Sequence, residues 1–131
     1  MEKSVDSLVD TNIFSQIFKG NLPVKQFVEN LSPTIDATVY IENLQGSKSN
    51  LEKMRIKKYL TKFTIFYQTE EISRRAIALI DQYSNTHGLM LADAQIAAVC
   101  LEYDLTLITY NVKDFLFIAN LKIIAPPFPT I

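Results

Sequence analysis

The sequence predicts an α/β protein: a three-layer α/β/α sandwich around a central parallel sheet of about five strands. Two observations carry this. Short β-branched and apolar runs alternate about five times with segments whose apolar residues recur at helical spacing. The run at 105–109, Leu-Thr-Leu-Ile-Thr, reads as a strand buried on both faces, as strands covered by helices on each side must be. Right-handed crossovers then place helices on both faces of the sheet.

The elements follow in order. A first strand covers residues 5–9 and ends in Asp10-Thr11-Asn12, with a carboxylate at its carboxyl end. Ile13, Phe14, Ile17 and Phe18 recur one turn apart, so a helix follows, and Gly20 is a fitting stop. Asp10 fits two roles at this point. It is either an acid in the crevice outside the strand ends, where open α/β sheets bind ligands, or a plain N-cap, a place Thr11 suits equally. Pro23 suits the first turn of a second helix. Val24, Phe27, Val28 and Leu31 form its apolar face and Pro33 ends it. A second strand covers 34–37. Residues 39–45 form a short helix closed by Gly46, although Thr38, Val39 and Ile41 would equally extend the strand.

Residues 47–50 are a polar turn in which Ser49 or Asn50 caps the next helix. That helix has one apolar face, Ile56, Tyr59, Leu60 and Phe63, with bases on the other. A third strand covers 63–68. Thr69, Glu70 and Glu71 open a helix buried through Ile72, Ala76, Leu79, Ile80 and Tyr83. Residues 84–88 read as a loop holding His87, the one histidine, as an exposed residue without a catalytic role. Asp93 opens a helix whose small residues Ala94, Ala97 and Ala98, with Leu101, let it lie close to a sheet. The fourth strand covers 105–109, a turn of helix 115–118 and the last strand 121–125, where Pro126, Pro127 and Pro129 stop the sheet.

At 131 residues the chain is expected to be one domain, 1–131, able to bury about two-thirds of its unfolded surface. One cysteine, Cys100, forbids an intrachain disulfide and suits a reducing compartment; its apolar neighbours make it a packed thiol rather than a nucleophile. The first residues lack the apolar core of a signal peptide, and no apolar run approaches the ~18 residues of a membrane span. A cytoplasmic location without membrane association is the expectation. Net charge is −1, but residues 48–62 hold six bases against Glu52, a local +5 that leaves −6 elsewhere. Such a run is ordinarily a solvated helix face; beside an acidic pocket it also suits a polyanion clamp.

Four acids occupy comparable places: Asp10 after strand one, Glu42 early in the helix after strand two, Asp93 in the first turn of the Ala-rich helix, and Asp114 after strand four. Helix-terminus electrostatics explains Asp93 alone, not four acids on one edge of a sheet. Carboxylates sharing a pocket repel and titrate high. A hard divalent cation resolves the conflict through oxygen ligands, and such ions activate water for displacement at phosphorus. No His or Cys cluster suits zinc.

Four stretches then resemble one family in order along nearly the whole chain: Val9-Asp10-Thr11-Asn12-Ile13, Tyr40-Ile41-Glu42-Asn43-Leu44-Gln45-Gly46, Leu91-Ala92-Asp93-Ala94-Gln95-Ile96-Ala97-Ala98, and Leu107-Ile108-Thr109-Tyr110-Asn111-Val112-Lys113-Asp114-Phe115. The chain resembles PIN-domain proteins, and among them the VapC-type toxins of bacterial toxin–antitoxin pairs. The resemblance implies a PIN-like fold and a metal-dependent endoribonuclease with Asp10, Glu42, Asp93 and Asp114 as its catalytic acids. Asp10, Asp93 and Asp114 would bind Mg²⁺ or Mn²⁺ directly, and Glu42 would bind or position it. Thr11, Asn12, Thr109 and Asn111 fall where the acids or water are oriented. RNA would be the substrate, and a small antitoxin and a second copy of the chain the partners; from the charge run rather than the resemblance, Lys53, Arg55, Lys57 and Lys58 are the expected RNA contacts. Ala92 stands where many relatives carry Pro, and Tyr110 where Arg is frequent. Two alternatives stand beside the nuclease: a PIN-like binding module that has lost catalysis, and a receiver-like signalling domain of the same size and alternation.

Overall fold

The computed structural model describes residues 6–127. Val5 and Pro129, assigned above to the first strand and to the stop after the last, lie outside them. The elements run β1 (Asp6–Val9), α1 (Thr11–Phe18), α2 (Leu22–Glu29), β2 (Ser32–Asp36), α3 (Ala37–Gln45), α4 (Asn50–Leu60), β3 (Thr64–Phe66), α5 (Glu70–His87), α6 (Leu91–Tyr103), β4 (Thr106–Ile108), a 3-10 turn (Val112–Asp114) and β5 (Ile123–Ile124). All strand pairs are parallel, in the order β3-β2-β1-β4-β5.

That order positions the site. The chain steps outward from β1 to β2 to β3, then returns to lay β4 on the other side of β1. With right-handed crossovers, α1 to α4 cover one face and α5 and α6 the other. The crevice between β1 and β4 is therefore the topological switch point. The order also differs from the 2-1-3-4-5 sheet of receiver-like folds, so the receiver alternative is overturned. Leu8, Val9, Leu107 and Ile108 are fully buried, as central strands covered on both faces require. Ile13, Phe14, Val24, Val28, Val39 and Leu60 pack into the same core, as do Ile72, Ile96 and Phe115.

Several boundaries move, each for a physical reason. Pro33 does not end the second helix ahead of the strand; it lies inside β2, paired with Ser7. It is tolerated because the β3 register begins only at Thr34, so Pro33 has a ladder partner on one side alone. Residues 84–87 are not a loop but the last turn of α5. Buried Tyr83 packs on Phe117 at 5.1 Å, His87 stacks on Phe117 at 4.3 Å, and the helix stops at Gly88, whose φ of 73° makes the left-handed C-cap. Phe63 lies past α4, in the turn before β3, where its ring meets Phe14 and Tyr59 edge-on. The turn of helix after β4 comes earlier than residues 115–118, at Val112–Asp114, because the Asp114 amide closes on the Asn111 carbonyl at 3.0 Å. Among the described residues no helix is long and apolar enough to cross a membrane.

Candidate active site

Asp10 leaves β1 at the switch point. Its amide donates to the Ile108 carbonyl at 2.9 Å, which carries the β1–β4 ladder one residue further and fixes where the side chain emerges. Of the two roles open to it from the sequence, the cap is seen, and the same side chain lies in the crevice between β1 and β4. One carboxylate oxygen, Oδ1, accepts the Thr11 amide at 2.8 Å and caps α1; the other, Oδ2, accepts the Thr109 hydroxyl at 2.8 Å across the crevice. Asp10 is 6% exposed. Burial raises its pKa; the Thr109 and Thr11 hydrogen bonds pull it back, and the Glu42 and Asp36 charges add to the rise.

The strand ends are stitched together by side chains. Thr109 Oγ1 donates to Asp10 and accepts both from Asn12 Nδ2 at 3.1 Å and from the Asn111 amide at 3.0 Å. Asn12 Oδ1 accepts the Tyr110 amide at 3.2 Å. Thr109 and Asn12 thus hold the β1 and β4 ends in register through polar atoms. Asn111 takes part through its backbone, and its exposed side chain is not needed for this.

The other acids come from three separate elements. Glu42, half-buried on α3, accepts the Thr11 hydroxyl at 2.7 Å through Oε1, which ties α3 to the start of α1. Asp93 lies in the first turn of α6, whose N-cap residue Met90 offers no side-chain hydrogen bond. Asp114 ends the 3-10 turn and is exposed. The four share one electrostatic field. Asp93 is pushed up to about 6, first by burial and then by the charges of Asp10, Asp114 and Glu42 in that order. Among the described residues no hydrogen bond to the Asp93 carboxylate offsets this repulsion, whereas Asp10 accepts from Thr109 and Thr11.

The donor set is carboxylate, hydroxyl and amide oxygen, the chemistry of Mg²⁺ or Mn²⁺ rather than of zinc. Among the described residues no group of three or more Asp, Glu, His or Cys side chains is placed to hold a metal ion unaided. That arrangement fits an ion which keeps several waters and takes one or two carboxylates, as Mg²⁺ does, and does not fit a closed cage of three.

One acid escaped the sequence reading. Asp36 ends β2 as Asp10 ends β1, and it is fully buried. Oδ1 accepts the Val39 amide at 2.9 Å and caps α3; Oδ2 accepts Gln68 Nε2 at 3.2 Å. Burial raises its pKa against these hydrogen bonds. Beside it, Thr38 donates to Gln95 Oε1 on α6 at 2.9 Å, so the starts of the helices carrying Glu42 and Asp93 are joined. The signal was available: Asp36 is an acid at the carboxyl end of a strand. A second strand drawn through Ala37 hides that signal; β2 ends at Asp36 because its side chain caps α3.

A cleft of about 360 Å³ opens beside Thr11 and Glu42, between α1, α3 and α4, with Phe18, Lys19, Lys48 and Ile56 among its walls. The four bases expected to contact RNA do not form one stripe opposite the apolar face. At about 100° per residue, Arg55 and Lys57 flank buried Ile56 on opposite sides and Lys58 points outward. Lys53 is half-buried beside the apolar stripe. Of the four, Arg55 alone borders the groove that adjoins this cleft. Lys19, absent from the sequence expectations, lines the cleft itself.

Residues 7–119 match the family model described as PIN domain. Ribonuclease VapC1 of Rickettsia felis is 30% identical over 125 residues, 89% of this chain and 93% of that protein. Ribonuclease VapC10 of Mycobacterium tuberculosis is 29% identical over 125 residues, 92% of each. Among solved structures, a toxin–antitoxin complex from Klebsiella pneumoniae contains a chain of the same fold, with a TM-score of 0.78 and 31% identity over 95% of this chain and 99% of that one.

Proposed function

The chain belongs to the PIN-domain family, and from that membership we propose that it is a metal-dependent endoribonuclease, a single PIN-like nuclease domain over 1–131 that serves as the toxin of a toxin–antitoxin pair. The observation that carries this is the convergence of acids from separate elements: Asp10 leaves β1 beside β4, Glu42 is tied to the start of α1 through Thr11 at 2.7 Å, and the charges of Asp10, Asp114 and Glu42 all act on Asp93. Acids held together against their own repulsion suit a site completed by a divalent cation and a phosphodiester. The names of its relatives, ribonucleases and a toxin–antitoxin complex, support the same direction. The protein would act in the cytoplasm, on RNA, as a homodimer held in check by a small antitoxin.

Asp10, Asp93 and Asp114 would supply the one or two carboxylates that hold Mg²⁺ or Mn²⁺ at a time, with waters completing the shell, and the ion would supply water activation and charge neutralisation at the phosphoryl oxygens. The chain's own residues do the rest. Thr109 and the Thr11 amide hold both oxygens of Asp10 so that its carboxylate meets the crevice in one orientation. Thr11 holds one oxygen of Glu42 and leaves the other free to accept from water. Asn12 keeps Thr109 aligned.

A second reading, a PIN fold that has lost catalysis and serves as a binding module, is favoured by one observation: no three acids are gathered for metal among the described residues. Cleavage of single-stranded RNA by the purified protein in Mg²⁺, its loss in EDTA, and its loss in Asp10→Asn and Asp93→Asn with native circular dichroism are the expected results. Wild-type cleavage by both variants would overturn the assignment of the acids, and a wild type inactive in Mg²⁺ and Mn²⁺ on every single-stranded RNA tried would favour the binding module.

A further inference from the structure

We propose, resting on the nuclease reading above, that the cleft between α1, α3 and α4 is a track for single-stranded RNA, in which Lys19, Lys48 and Arg55 contact phosphates and Phe18 stacks a base. The cleft borders the acid site at one residue, Glu42, which with Thr11, joined to it at 2.7 Å, forms part of its wall. From there it passes Lys19, the C-cap of α1, and Lys48, just ahead of α4. A second hollow of about 420 Å³ shares Phe18, Glu52 and Ile56 with it and brings in Arg55. The two form one groove leading away from the acids.

The cations of this groove are uncommitted. Among the described residues Arg74, Arg75 and Lys122 make ion pairs, at 2.9 Å each, and Lys19, Lys48 and Arg55 make none. Glu52 is the one acid on the outer stretch, and its Oε2 is turned to the Lys48 amide at 3.4 Å. Phe18 is 40% exposed although it belongs to an aromatic cluster, with Phe14 at 6.1 Å and Tyr59 edge-on at 5.7 Å. A ring held from behind with an open side is a platform on which a base can stack at little entropic cost. Grooves that bind single strands without duplex combine a line of cations with such rings. A hollow of a few hundred cubic ångströms takes one strand and excludes a helix of two. The apolar walls Phe18, Leu51 and Ile56 would also accept a protein segment, but three unpaired cations leading to a phosphodiesterase-type acid cluster favour the polyanion.

The test is a salt titration. Binding of a short fluorescein-labelled single-stranded oligouridylate to the full chain in EDTA is followed by anisotropy. The wild type is compared with Lys19→Ala/Lys48→Ala/Arg55→Ala and with a control of equal net charge, Lys25→Ala/Arg74→Ala/Lys122→Ala. Single-stranded contacts release about 0.7 counterions per phosphate. The groove variant should therefore show a log K against log salt slope shallower by about 2, with the control unchanged. Phe18→Leu should lose about tenfold in affinity at the wild-type slope. A control that loses as much slope as the groove variant overturns the track. So does a groove variant with the wild-type slope, which leaves the groove to a protein segment. Cleavage in Mg²⁺ separates the two levels: a wild type that still cuts the oligonucleotide when the groove variant keeps its slope sinks only the track, whereas a wild type that cuts no single-stranded RNA sinks the nuclease reading on which the track rests.

Discussion

Asp93→Asn should make the metal-free protein more stable while abolishing its activity. The gap between an ordinary aspartate at 3.8 and about 6 in the folded chain corresponds to about 3 kcal/mol at about 1.4 kcal/mol per pH unit. Asp93 is only partly buried, so solvent screening cuts that to about half. Losing the negative charge from the first turn of α6 forfeits a further ~0.5 kcal/mol of macrodipole stabilisation. The net gain for the asparagine is about 1 kcal/mol above pH 7, a rise of about 4 °C in Tm for a domain of this size. The sign with pH follows from linkage. Asp93 holds its proton more tightly folded than unfolded, so its contribution to stability is fully present below 3.8 and is lost as pH rises through about 6. The difference between wild type and variant should therefore be large at pH 8, small at pH 4 and gone by about pH 3. Urea unfolding at a series of pH values in EDTA measures it. Added Mg²⁺ should stabilise the wild type and leave the variant nearly unmoved. An asparagine variant less stable than wild type at pH 8, or a gain of equal size at pH 4, would refute the claim that Asp93 is held against the repulsion of its neighbours.

Three further outcomes are expected. Thr109→Val keeps the shape but removes the hydroxyl that donates to Asp10 and accepts from Asn12 and the Asn111 amide; a loss of about 2–3 kcal/mol, read by urea unfolding, should accompany loss of cleavage. Asp36→Asn keeps a good cap for α3 and removes a buried charge, so its unfolding midpoint at pH 7 should match or exceed that of the wild type, whereas Asp36→Ala should fall by about 1–2 kcal/mol. Gly88→Ala meets nothing within 4 Å, so its cost is the left-handed backbone alone, φ +73°; thermal melting should show a loss of about 1 kcal/mol, with cleavage unchanged.

The central sheet was legible because its signals are short. The apolar runs around Leu8 and Leu107, the caps at Ser49 and Thr69, and the acids at strand and helix ends are each contained in a few neighbouring residues. The true end of α5 was not, because Ser84-Asn85-Thr86-His87 has the composition of a loop; it is held helical by the rings of Tyr83 and His87 against Phe117, which comes from beyond β4. The bases on α4 were legible as charge but not as direction. Which of them borders a groove depends on where α1 and α3 pack, and so Arg55 and the unforeseen Lys19 face it while Lys58 does not.

By itself the sequence determined the alternation of strands and helices, the acids Asp10, Asp93 and Asp114 near the ends of those elements, and through the order of its motifs a likeness to one family; Glu42 is not early in its helix but in the second turn, because α3 begins at Ala37. Tertiary structure alone decided that β1 lies between β2 and β4, and hence that Thr109 reaches Asp10 across 99 residues of chain. It also decided that Asp36 is buried beside them and that a cleft opens from Glu42 toward Lys19. The physical reason is range: backbone preference and hydrophobic periodicity act over one or two turns, whereas burial, mutual repulsion of carboxylates and the walls of a cleft exist only once distant segments share a volume.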